Sequence, residues 1–490
     1  MDVEPTGVTT SVLQWPDYLV IGIVLSISAG IGVYYRFSGD RQRTAEEYFV
    51  ANHSMAIVPL AIAVMVSFIS SITMLGISAE NYFYGTQQLM SLGGGVFGTV
   101  IATYCYLPVF YKLKFTSVFE YLEKRFGSRA RLVASLMNFL QLQMYSGVVL
   151  YAPSLAIEAT TGLSGTMSIV FISIICTFYS TIGGIKAVLV TDIVQAALMF
   201  AGIFCVLGTA ARELDGGLSN VWHIATEGGR IQFFDFRLDP TIRHTTWCLL
   251  IGGTTTFLSL YAVSQVQVQR LLTAKDLKAS QKALALSGPI ILSMGLLTGF
   301  SGLALYAVYK DCDPYTAGLI SSPDEIVPFF ATERMTRIPC LTGIFIAGVF
   351  SASLSTISAL VNSLTAVALE DYVKPIYRKI GVQFPEKRAM LICKSLSILI
   401  GFMSLALAFL ARSLGSLIEA VMGIFGAING PIFGMYTLGM FVESANEIGA
   451  ISGTTLGVVI CLICVLGHPK PTPQRLPLSI EGCDNSTLLT

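Results

Sequence analysis

The residues best suited to holding an ion are hydroxyls. Ser351, Ser355, Ser358 and Asn362 follow one another at offsets 0, 4, 7 and 11, which places them in one stripe along a helix with Thr356 on its flank. Neutral oxygens in such a row make a hard cage for Na⁺, a weakly held ion that must also leave, and the lack of clustered carboxylates argues against Ca²⁺. The competing use of these serines is to bond back to carbonyls of their own helix. Two further stretches could add backbone oxygens: Ser67-Phe68-Ile69-Ser70-Ser71-Ile72-Thr73 ahead of Gly76, and Gly252-Gly253-Thr254-Thr255-Thr256. Helix breaks there would offer carbonyls to a cation and amides to an anion. Their competing use is close helix packing.

Ionisable groups within apolar stretches are few, so each is a candidate. Asp192 could draw a cation toward the inner face or cap a helix beside Lys186; Glu80 lies beyond the first stretch toward the outside or is a solvated end residue, and Glu419 lies deeper, with no partner legible in the sequence. Gln265, Gln267 and Gln269 precede Arg270 at a spacing of two, at which they are expected not to share a helix face. Other chemistries are poorly served. Gly183-Gly184-Ile185-Lys186 lacks the spacing that wraps phosphates, which excludes a nucleotide-driven pump. Cys461 and Cys464 sit in an apolar run without a second pair to complete a zinc site. With no readable nucleophile and base, the chain is expected to be no enzyme and to need no cofactor beyond Na⁺.

The elements that position these groups follow from composition. Of 490 residues 53% are apolar and 12% charged, against roughly 25% charged in a soluble domain. Thirty Lys and Arg balance thirty Asp and Glu, so no field recruits nucleic acid. The bilayer is the solvent. Twelve windows are long and apolar enough to cross it, near 16–35, 55–84, 89–110, 131–157, 164–182, 188–211, 246–269, 284–308, 341–370, 390–411, 414–441 and 448–466. The two Gly/Ser stretches open blocks of five helices each, windows 2 to 6 and 7 to 11, and the odd number inverts one block against the other.

Twenty of the thirty basic residues fall in 36–54, 111–131, 183–187, 270–283 and 371–394, which assigns these segments to the cytoplasm. Both termini are then extracellular, with tails at 1–15 and 467–490. The first fifteen residues lack the basic region of a cleaved signal peptide, so the first window is expected to stay as a span. Asn485 is an exposed glycosylation acceptor, whereas Asn52 lies in a cytoplasmic loop. Outer loops at 212–245 and 309–340 are long enough to cover a vestibule. Cys312 and Cys340 could pair, with Cys483 as a competing partner. The Pro-rich tail after Gly467 is expected to be extended and unpacked.

Tyr179-Ser180-Thr181-Ile182-Gly183-Gly184-Ile185-Lys186-Ala187-Val188, with Thr191-Asp192 and Gln195 after it, resembles the signature of the sodium:solute symporter family. Gln265 to Arg270 and Asn362 to Asp371 resemble its other marks, and the likeness covers residues 16 to 466. Within the family the chain is similar to the branch of sodium-coupled monocarboxylate, multivitamin and iodide transporters. The resemblance implies an all-α, LeuT-type inverted repeat of five plus five helices (55–211 and 246–441) in the plasma membrane, working by alternating access. It also implies a sodium site of the Met74, Ile77 and Ala352 carbonyls with the Ser355 and Thr356 hydroxyls, and Asp192 at the exit. A second ion and the solute would lie near Ser70, Thr73, Tyr145, Phe257, Gln265 and Asn429. Three of these, Thr73, Phe257 and Asn429, depart from the iodide carrier's pattern. With no buried Arg or Lys at the pocket, an anionic solute would rely on amides, Tyr145 and the bound cation. The expected function is import of a small organic anion, with an iodide or sugar carrier and a non-transporting ligand-gated sensor as alternatives. The branch usually has a thirteenth span, and the sequence ends before it.

Overall fold

The computed structural model describes residues 13–37, 53–113, 116–239, 241–385, 388–412, 417–467 and 474–483. Their regular structure is helical, and among them the only extended pairing is an isolated bridge between Met55 and Ala274. In chain order the main helices are α1 Trp15–Phe37, α2 Ile57–Phe68, α3 Ser71–Tyr84, α4 Thr86–Leu113, α5 Ser128–Thr161, α6 Gly165–Glu213 and α7 Thr246–Tyr261. They continue with α8 Gln265–Leu271, α9 Leu277–Val308, α10 Leu341–Ile380, α11 Ala389–Ala411, α12 Leu417–Phe441 and α13 Glu447–Leu466. Eight are long and apolar enough to cross a bilayer, or ten if α2 with α3 and α7 with α8 each count as one bent span. The described backbone of α6 runs through 183–187, where the Lys/Arg pattern predicts a loop.

Burial ranks these helices from centre to rim. Every residue of α10 from Phe345 to Leu369 is buried, as expected for a helix apolar on all sides and enclosed by others. It packs on α6, α5 and α11. By contrast α13 buries only Ala450, Thr454 and Val458, a single stripe at four-residue spacing, and turns Ile448, Leu456, Ile460 and Ile463 outward. That is the face of a peripheral span meeting lipid.

The helix breaks fall partly where the sequence suggests. Between α2 and α3 the chain bends by 59°, with Ile69 and Ser70 extended. Ser70 is the N-cap of α3, and its backbone N–H donates to Thr73 Oγ1 at 3.4 Å. The second bend, 62°, lies at Ala262, Val263 and Ser264, beyond Gly252 to Thr256, which stay inside α7. Of the two glycines there, Gly253 serves packing. A Cβ on Gly253 would stand 2.8 Å from the Ser91 carbonyl oxygen, and one on Gly94 would stand 2.6 Å from both Leu250 O and Thr254 N, so α4 and α7 touch backbone to backbone.

Cys312 is bonded to Cys483, and Cys340 is free. Contrary to the expectation of an unpacked tail, the described part of the tail lies on the loops at 228–232 and 309–313 and on the end of α3: Leu476 N–H donates to Phe83 O at 3.0 Å, Arg230 Nη2 to Pro477 O at 2.7 Å, and Asp313 N–H to Ser479 O at 2.9 Å. Arg475 stacks over Tyr315 at 4.2 Å. Buried backbone donors and acceptors need partners, and the tail supplies them. Asn485 and Asn52 lie outside the described residues.

Candidate functional site

The first break meets the hydroxyl-rich helix directly. Ser353 Oγ donates to Ser71 Oγ at 2.7 Å and lies 3.3 Å from Val149 O, joining α10, α3 and α5. Two residues on, Ser355 Oγ donates to Asp192 Oδ1 at 2.7 Å, and Thr356 Oγ1 bonds back to Ala352 O at 3.0 Å. Ser358 also bonds back, to Ser355 O at 2.9 Å. The stripe is thus divided: Thr356 and Ser358 bond within the helix, whereas Ser355 reaches across. Ser351 Oγ and both polar atoms of the Asn362 amide are buried without a partner, unusual for groups taken out of water.

Asp192 is a hub between α6, α8 and α10. Its second oxygen accepts from Arg270 Nη1 at 2.5 Å, and the same nitrogen lies 3.1 Å from Ala63 O on α2. Above it, Gln267 Nε2 donates to Ser67 Oγ at 3.0 Å. The inner halves of the two broken helices are therefore tied to each other and to α6. Asp192 is wholly buried, which rejects the reading of an interfacial cap. Arg270 is 2% exposed, so a buried arginine does exist. The Lys/Arg asymmetry assigns it to a cytoplasmic loop. The signal that could have found it is its place directly after three glutamines in an otherwise apolar span.

Of the predicted substrate and second-ion residues, Tyr145 packs on Phe425 with ring centroids 4.8 Å apart. Asn429, in the π-helical turn of α12, is buried with its amide nitrogen unpaired. Phe257 stacks on Tyr261 at 4.1 Å, and Phe68 lies 5.3 Å from Tyr261. Three predicted residues are used otherwise. Gln265 faces the inner loop, accepting from Val118 N–H at 2.8 Å and donating to Thr116 O at 2.8 Å and Gln269 Oε1 at 3.1 Å. Members four apart do share a helix face. Met74 and Ile77 sit in α3 past the break, and their carbonyls accept from Ser78 Oγ and Asn81 Nδ2, both at 2.8 Å. The Ile69 carbonyl lies in the break itself, where no described backbone N–H bonds to it.

Beside the aromatic group lies a cavity of about 300 Å³ between α4, α7 and α9, reaching Met422 of α12. Phe68 and Phe257 form one wall, polar groups enter from Gln88, Ser91 and Thr256, and no lining residue is charged. Arg243 joins Glu80 at 2.7 Å to Glu419 at 3.0 Å and covers the Tyr84 ring at 3.9 Å, giving Glu419 a partner that sequence reasoning did not find.

Broken helices whose halves are pinned together around buried oxygens are a device for handling ions and solutes at membrane depth, and they place this chain among polytopic transporters of the LeuT-type inverted-repeat fold. The chain belongs to the sodium:solute symporter family, whose model matches residues 48–457. It is 46% identical over 468 residues to a Drosophila melanogaster protein described as a sodium-dependent multivitamin transporter, covering 95% of this chain and 77% of that one. Human sodium-coupled monocarboxylate transporter 1 is 38% identical over 488 residues, 99% of this chain and 79% of that protein. Among solved structures, a Na⁺-coupled sialic acid symporter in a substrate-bound, outward-open state superposes with a TM-score of 0.79 at 25% identity, covering 93% of this chain and 99% of that one. The chain is a sodium-coupled solute symporter.

Proposed function

We propose that the solute is a small organic anion, a monocarboxylate or vitamin-like acid, imported across the plasma membrane by alternating access with Na⁺. The observation that carries this reading is the Ser355 hydroxyl bonded to wholly buried Asp192 beside the first break. Sodium is held by the Ser355 and Thr356 hydroxyls and the Ala352 carbonyl. The Ile69 carbonyl takes the part that the family resemblance gives to Met74 and Ile77. Asp192 receives the ion on its way inward. Ser70, Thr73, Tyr145, Phe257 and Asn429 surround the second ion and the solute, and Gln265 acts as a brace to the inner loop.

A carboxylate entering a cavity without cationic side chains needs its counter-charge from bound Na⁺ and from N–H and O–H donors, which makes its binding sodium-dependent. One charge crossing 100 mV yields about 2.3 kcal/mol, and a tenfold gradient adds about 1.4 kcal/mol. Each Na⁺ then supplies roughly 3.7 kcal/mol, enough for several-hundredfold accumulation.

Both termini lie outside, a reading supported by the Cys312 to Cys483 disulfide, which suits an oxidising compartment. Asn485 beside it is the glycosylated asparagine, so glycosidase should shift the wild-type band and leave Asn485→Gln unchanged. The function is tested by uptake of a labelled carboxylate panel with Na⁺ or choline outside. Na⁺-dependent accumulation is expected. Saturable uptake indifferent to Na⁺ overturns the reading, and ion current without solute entry assigns the chain to the sensor class.

A further inference from the structure

Two glycines that packing does not require, Gly252 and Gly288, line the cavity beside Phe257. Cys248, Gly252 and Thr256 stand at four-residue intervals on α7, so they share one helix face, and all three line the cavity. Gly253 next to them has no choice, because α4 backbone lies against it. Gly252 has: a Cβ built there meets nothing within 4 Å. On the facing helix α9, a Cβ at Gly288, also in the lining, would meet only the Thr99 side chain, at 3.7 Å. Helix propensity penalises glycine at such positions by roughly 1 kcal/mol relative to alanine, and neither contact nor backbone conformation returns that cost at Gly252.

We infer that Gly252 is a specificity-determining residue that keeps the cavity open for the apolar body of the solute, and that the preferred solutes are monocarboxylates with a bulky apolar body rather than two- or three-carbon acids. This rests on the proposed transport of organic anions and adds the size class. The chemistry of the wall agrees. Phe68, Leu92, Ile291 and Leu292 offer apolar surface, while the polar groups are neutral and few. A two- or three-carbon acid would leave much of this volume unfilled. A polyol would leave hydroxyls facing hydrocarbon without partners, which disfavours a sugar.

The test uses ²²Na⁺ entry into cells expressing the full chain, stimulated by 5-phenylvalerate or by propionate, so that passive diffusion of the acids does not enter the readout. Wild type should respond to 5-phenylvalerate at a concentration at least tenfold below that needed for propionate. Gly252→Leu should raise the half-maximal 5-phenylvalerate concentration at least tenfold and leave that of propionate within twofold, whereas Gly252→Ala should keep both acids active. Protection of Cys248 against a membrane-impermeant maleimide gives a second measure, with Cys248→Ser as the control for background labelling. 5-Phenylvalerate should protect wild type, and that protection should be lost in Gly252→Leu. Equal losses for both acids in Gly252→Leu at wild-type surface level, or no loss for either, overturn the role of Gly252. A wild-type preference for propionate overturns the size class while leaving anion transport standing. No stimulation by any carboxylate in a sodium-competent chain overturns the underlying reading instead.

Discussion

Arg270 Nη1 lies 2.5 Å from Asp192 Oδ2, with the two side chains 3% and 0% exposed. The pair joins a half-helix after the second break to α6, and through Ser355 it reaches the proposed sodium site. Removing one member of such a pair strands the other charge in the interior, at about 3–5 kcal/mol. Asp192→Asn should therefore lower surface level and thermal stability as well as slow sodium release. The double variant Asp192→Asn with Arg270→Gln should recover most of the surface level while turnover stays low. Surface biotinylation beside ²²Na⁺ flux reads both. A double variant that recovers neither level nor stability would deny that charge balance is the cause.

Thr356→Ala should raise the Na⁺ concentration for half-maximal uptake about fivefold or more, corresponding to the loss of roughly 1 kcal/mol from one oxygen contact. Its present partner, Ala352 O at 3.0 Å, lies within the same helix, so stability should change little. A Na⁺ activation curve that overlays wild type at equal expression would remove Thr356 from the site.

Arg243 clamps α3 to the start of α12 through Glu80 and Glu419. Arg243→Gln should loosen the outer side and speed modification of Cys248 by an impermeant thiol reagent severalfold. Glu419→Gln should have the smaller effect, since that carboxylate is 51% exposed and its pairing is weakened by solvent. Unchanged labelling in Arg243→Gln would make the cluster a surface ornament of the loops.

Burial pushes the Asp324 carboxyl up to about 6; the Leu417 N–H opposes this, while Glu80, Glu325 and Glu419 reinforce it. A carboxyl raised above its unfolded value of about 3.9 binds more protons folded than unfolded between pH 4 and 6. Stability is thus lost as pH rises through that window, and the penalty is complete above about pH 6. Asp324→Asn can still accept the 2.8 Å bond from Leu417 N–H. It should raise the melting temperature at pH 7.4, by an amount corresponding to roughly 2–3 kcal/mol, and the gain should shrink at pH 4.5. A gain independent of pH would locate the effect elsewhere.

Cys483→Ser should release the carboxyl-terminal segment from the outer loops and cost about 2–4 kcal/mol of stability, whereas Cys340→Ser should cost little. Reducing agent should lower the wild-type melting point and leave that of Cys483→Ser unmoved. Equal sensitivity in both proteins would contradict the Cys312 to Cys483 pairing.

Sequence alone determined the solvent, the apolar spans and the hydroxyl row of α10, because hydropathy and helical period act over a few turns and survive without tertiary context. It located the first break, where Ser70 and Thr73 carry their own capping signal. It misplaced the second, because Gly252 and Gly253 look alike as letters and only their neighbours tell them apart: α4 backbone against one, open cavity against the other. Arg270, counted as a loop charge, became a buried partner only when folding brought it across 78 positions of sequence to Asp192. The same holds for Arg243 with Glu419 and for the tail fastened by Cys483. Local pattern fixes which groups leave water, but which of them then meet depends on helix packing between segments far apart in the chain, and Coulomb attraction and hydrogen bonding settle the partners only after that packing has closed.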